Sequence, residues 1–100
     1  MNKQQFETIT AWQDKTFTKA TSISCFNHLS EEIEELGKDL RDGIFSPHEI
    51  ADCFLLLFGV CNKEGMKYED VVNAIDEKMK INLDRKWGNV NEKGYVKHVD

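Results

Sequence analysis

Proline occurs once and glycine only six times. A sheet sandwich, which needs turn residues at regular short intervals, is poorly served by that supply. Cysteine is scarce too. Cys25, Cys53 and Cys61 cannot all pair internally and show no CxxC spacing, so they read as buried free thiols in a reducing compartment. Cations are in the minority, with 13 Lys and Arg against 18 Asp and Glu and a net charge of −5. That balance excludes the basic patches with which proteins coat nucleic acid or lie on membranes. Long apolar runs are also missing. "CFLLLFGVC" (53–61) is far too short to span a bilayer, and "MNKQQFETIT" lacks the apolar core of a signal peptide. The expected location is the cytoplasm.

What remains is helix. One hundred residues with 40% apolar and 31% charged side chains suit one compact domain, residues 1–100. Residues 3–14 carry Phe6, Ile9 and Trp12 on one side of a short helix. After a polar interruption at 17–22, with Thr21 and Ser22 as cap candidates, Phe26, Leu29, Ile33, Leu36 and Leu40 recur at helical spacing until Gly43. "SPHE" (46–49) announces the next helix, with Ser46 as cap, Pro47 at the first position and Glu49 completing a capping box. Its "IADCFLLLFGVC" is apolar nearly all round, which predicts the buried centre of the fold, ending near Gly65. A last helix over 68–88 would turn Val71, Val72, Ile75, Met79 and Leu83 inward and stop at Gly88. The tail 89–100 is short and irregular, a hairpin or a loose arm. The architecture is an all-α bundle of about four helices. So few partners cannot cover the central helix, which predicts self-association.

"HLSEEIEELGKDL" (28–40) places His28, Glu32, Glu35 and Asp39 on one stripe bordering the apolar face, with Glu31 just beyond it. Glu49 and Asp52 share a face of the following helix, which a short loop makes an antiparallel neighbour. Like charges at this spacing repel, and an Asp bordering a buried helix is costly unless paired or ligating. Glu-rich helix faces are commonly just solvated, and a capping box alone explains Glu49. Asp52 has no such explanation. Counting ~1.5 Å per residue, the register places Asp52 nearest Glu35. Carboxylates without Cys or an obligatory His form a hard oxygen site suited to Mg²⁺ or Mn²⁺. An EF-hand is excluded, because Lys38 and Leu40 would occupy its first two ligand positions. A di-iron site is disfavoured by the absence of Glu-x-x-His pairs.

On the last helix Lys78, Asn82 and Arg85 form one stripe, a grip for phosphate oxygens or an ordinary cationic helix end. "EEIEEL", "EIADCFLLL" and "KMKINLDRKWG", in that order, resemble the MazG-like, all-α nucleoside triphosphate pyrophosphohydrolases. Trp12 and the ending "RKWGNVNEKGYVKHV" are similar to the small bacterial and phage branch described as dATP/dGTP pyrophosphohydrolase-like. The resemblance implies a four-to-five-helix bundle that hydrolyses a nucleoside triphosphate to monophosphate and pyrophosphate. It further implies Mg²⁺, with Mn²⁺ as a substitute, held by Glu32, Glu35, Glu49 and Asp52. Glu35 or Glu31 would take the proton of water, and Lys78, Asn82 and Arg85 would hold the phosphates. Trp12, Phe17 and His28 are candidates for base or sugar. A homodimer or homotetramer is implied as well. The rival reading is a non-catalytic helical module that binds nucleotide or protein, although no position of the acidic motif is missing.

Overall fold

The structure, a computed structural model, describes residues 1–100. Four helices follow one another: α1 (Lys3–Thr16), α2 (Ser22–Arg41), α3 (Pro47–Lys63) and α4 (Tyr68–Asp84). There is no strand, only an isolated antiparallel bridge between Trp87 and His98. The all-α expectation is met, and α1 runs two residues further than its apolar spacing suggested.

Local chemistry explains most helix ends. Asn2 caps α1 through its side chain, which accepts from Gln5 N at 2.8 Å. Thr21 caps α2 in a reciprocal box with Ser24. Gly43 and Gly65 follow α2 and α3 with φ of 70° and 82°. That left-handed backbone lets Ile44 N reach Asp39 O and Met66 N reach Cys61 O, satisfying carbonyls that the helix ends leave free.

Residues 1–69 and 70–100 are two compact units. In the first, α3 packs on α2 and, less extensively, on α1. Phe6 is almost fully buried, edge-on to Phe58 with ring centroids 5.6 Å apart, and also beside Tyr68. Thr10 and Leu29 are buried as well. In the second unit Val71 is buried, and the tail folds back through Gly88 N to Lys97 O (3.0 Å) and Val99 N to Lys86 O (2.8 Å). It is a pinned arm, not a loose one.

Several expectations need correction. α3 is not the buried centre of one chain. Gly59 is its one buried residue, while Phe54 is 56% exposed. Ile75, Met79 and Leu83 on α4 are exposed too, as are Phe26, Ile33 and Leu40 on α2. Amphipathic spacing marks the face fit to be covered, and a chain this small has too little surface to cover four such faces. α4 ends at Asp84 rather than Gly88. Its last turn tightens, with Arg85 N and Trp87 Nε1 both donating to Asn82 O, and the chain then pairs with the tail. Arg85 therefore lies just beyond the helix that was expected to carry it. Finally, Ser46 makes no cap bond; its hydroxyl donates to Asp39 Oδ2 at 2.6 Å instead.

Candidate active site

That Ser46–Asp39 bond sets the register of the acidic residues. With Ser46 level with Asp39, each step up α3 moves one step back down α2. Asp52 then stands level with Ile33, beside Glu32, and Glu49 level with Leu36, where its carboxyl meets that of Glu32. Running α2 to Asp42 and starting α3 level with it would bring Asp52 nearest Glu35 instead.

Glu32, Glu49 and Asp52 each bring a carboxylate oxygen within 4.8 Å of one another. Glu35 does not join this tight group, though its charge acts on Glu49. Glu31 is exposed on α2 outside the group. Glu49 registers the crowding. Its carboxyl is held above the ordinary range first by the Glu32 carboxyl beside it, then by burial, then by the charges of Glu32, Glu35 and Asp52. Glu49 Oε2 is shielded from water and has no hydrogen-bond donor. A buried, unpartnered carboxylate oxygen among like charges is what a hard divalent cation would satisfy, so the donor set fits Mg²⁺ or Mn²⁺. Cys53 lies in the same field. Burial and the charges of Glu32, Glu49 and Asp52 push its thiol upward.

A cavity of about 430 Å³ opens from this cluster. Glu32 and Asp52 line one part of it, and Trp12, Phe17 and His28 line it as well. Trp12 and Phe17 meet edge to face at 5.4 Å, and each is about half exposed. His28 Nε2 is 3.4 Å from Glu32 Oε1. The fold thus brings the three candidates for base or sugar to one cavity with two of the acidic residues. Sequence reasoning missed Gln13, Gly59, Asn62 and Lys63, which line it too. Asn62 and Lys63 are tied to Asp14, each donating to Asp14 Oδ1 at 2.9 Å and holding that carboxyl below its usual range, Lys63 most strongly.

Lys78, Asn82 and Arg85 belong to the second unit. Lys78 is exposed, and Asn82 and Arg85 are half-buried.

Comparison with known proteins gives a consistent picture. A family model described as dATP/dGTP pyrophosphohydrolase matches residues 5–100. Among solved structures, the chain is similar to a MazG-like pyrophosphohydrolase of cyanophage S-2L, bound to dGDP and three catalytic Mn²⁺ ions per active site. The likeness covers 100% of this chain and 99% of that one, with a TM-score of 0.80 and 28% identity. A search of the curated proteins finds no match.

Proposed function

Since the chain belongs to the dATP/dGTP pyrophosphohydrolase family and is thereby a metal-using hydrolase of nucleotide anhydrides, we propose that its reaction is the Mg²⁺-dependent cleavage of a deoxynucleoside triphosphate to monophosphate and pyrophosphate. The observation that carries this is the group of Glu32, Glu49 and Asp52, of which Glu32 and Asp52 line a cavity of about 430 Å³. Dependence on a divalent ion also agrees with the Mn²⁺ ions of the phage relative, and a purine substrate with its dGDP. No nucleic acid or membrane partner is invoked; no helix is long and apolar enough to cross a membrane.

In this reading Glu32, Glu49 and Asp52 hold the metal, with Glu35 completing the set. Bound there, the ion would neutralise phosphate oxygens and lower the pKa of the attacking water. Glu35 or Glu31 accepts the water's proton on a carboxylate oxygen. Trp12 offers a ring face for stacking, and His28 a ring nitrogen beside Glu32. Lys78, Asn82 and Arg85 supply two cations and an amide for phosphate oxygens. The enzyme works as a homo-oligomer in the cytoplasm, and residues 1–100 act as one domain.

The direct test incubates the protein with each of the eight common NTPs and dNTPs plus Mg²⁺ and identifies the products. Monophosphate and pyrophosphate from a purine dNTP are expected. Release of orthophosphate, or no turnover of any nucleotide, refutes the reading. A second measurement concerns the phosphate grip. Arg85→Ala should reduce kcat/KM about ten- to a hundredfold, as loss of a charge-assisted hydrogen bond worth roughly 1.5–3 kcal/mol implies. Lys86→Ala, one residue on and with the same change of charge, should cost little. Equal losses would reduce the stripe to general electrostatic attraction.

A further inference from the structure

Two buried side-chain oxygens lack a hydrogen-bond donor, Glu49 Oε2 and Gln13 Oε1. The first belongs to the carboxylate group, of which Glu32 and Asp52 reach the cavity, and the second lies elsewhere on that cavity. Gln13 is held by its other end, since Nε2 donates to Leu55 O at 2.8 Å. That bond fixes which way the amide faces, because the flipped amide would set its oxygen against the Leu55 carbonyl. Oε1 is thus a fixed acceptor with nothing to accept from, an arrangement that folded proteins seldom tolerate without a reason.

Gly59 lies beside it. Glycine is a poor choice in the middle of a helix, and packing does not demand it here. A Cβ at 59 would stand 3.4 Å from Gln13 Oε1 and from Cys25 Sγ, ordinary contact distances that an alanine could occupy. What glycine does keep open is the cavity wall next to the unpartnered oxygen. Asp52, Leu55, Leu56 and Gly59 follow at helical spacing and all line the cavity. From Asp52 to Gly59 the helix rises ~10 Å, which suits phosphate at one end and base at the other.

We propose that Gln13 and Gly59 form the base-reading end of the cavity, where the Gln13 carbonyl accepts a hydrogen bond from the exocyclic amino group of a purine. An amino group is the fitting donor because the acceptor is recessed. Such a group projects beyond the ring edge, whereas a ring N–H does not. Both purines in the family's description carry one. A base lacking it leaves the acceptor buried and unpaired, the situation in which binding sites discriminate most strongly. The inference deepens the nucleotide reading and rests on it.

The test measures binding rather than turnover, by calorimetry with metal present. Two pairs of monophosphates differ by one amino group: dGMP with dIMP, and dAMP with the 6-unsubstituted purine deoxynucleotide. In the unaltered protein at least one pair should show a preference of about tenfold or more for the amino-bearing member. In Gln13→Met, which keeps length but removes the acceptor, that ratio should fall below about threefold. Gly59→Ala should weaken the amino-bearing member about tenfold while its thermal midpoint does not fall, since alanine favours the helix. No preference in either pair, a preference that survives Gln13→Met, or full affinity in Gly59→Ala overturns the proposal. If nucleotide is hydrolysed to pyrophosphate all the same, the base-reading inference fails alone. If no nucleotide binds or is hydrolysed, the functional reading fails with it.

Discussion

Asp52→Asn is expected to abolish turnover while leaving the metal-free chain at least as stable as before. The three carboxylates of Glu32, Glu49 and Asp52 crowd within 4.8 Å, and Glu49 is pushed toward its protonated form by its neighbours. Without metal, removing one charge relieves repulsion. With metal, it removes a ligand, and the loss should exceed the ten- to hundredfold that even outer-shell partners of a metal are worth. Thermal unfolding separates the two effects. At a hundredfold excess over Kd, Mg²⁺ or Mn²⁺ should stabilise the unaltered protein by roughly 2.7 kcal/mol, on the order of 10 °C for a domain of this size. In Asp52→Asn or Glu32→Gln most of that shift should vanish while the metal-free midpoint holds or rises. A sharp fall in the metal-free midpoint would make these carboxylates structural and remove the main support for a metal site.

Phe54→Glu should dissociate the protein. In a single chain Phe54 is 56% exposed, Leu57 47%, and Phe26, Ile33 and Leu40 on α2 all above half. Soluble monomers rarely display apolar surface on that scale. We expect a dimer or tetramer at micromolar concentration by light scattering. A buried Phe is worth ~1.5–3 kcal/mol and a two-fold interface counts it twice. The dissociation constant should therefore rise at least about a hundredfold. A compact, stable monomer of the unaltered chain at micromolar concentration would defeat this expectation.

Residues that signal locally were legible. Thr21, Pro47, Gly43 and Gly65 mark helix ends through their own backbone chemistry, and spacing puts Glu32 with Glu35 on one helix face and Glu49 with Asp52 on another. What depends on a contact between elements was not. Ser46 reads as a cap in sequence, yet its hydroxyl meets Asp39, and the acidic register shifts accordingly. The stop of α4 at Asp84 follows from Trp87 reaching back to Asn82 O and pairing with His98, which no periodicity encodes. Apolar spacing told which faces of α2, α3 and α4 seek cover but not whether the same chain supplies it. Gln13 gave no signal of its own. Gly59 did, as a glycine inside an otherwise unbroken apolar helix, and its meaning emerged only with the orphaned oxygen beside it.

The Ser46–Asp39 bond also bears on how fast the chain folds. It closes a hairpin of two adjacent helices, so the carboxylate group assembles from residues 32–52 with little loop entropy to overcome. Contacts of that kind form early, which means that their mutual repulsion is met on the way to the barrier rather than after it. Divalent metal present during refolding should then lower that barrier, quickening refolding in a stopped-flow trace while leaving the unfolding rate nearly unchanged. An ion needed for the chemistry would in that way also stabilise the folding transition state of the hairpin that holds it.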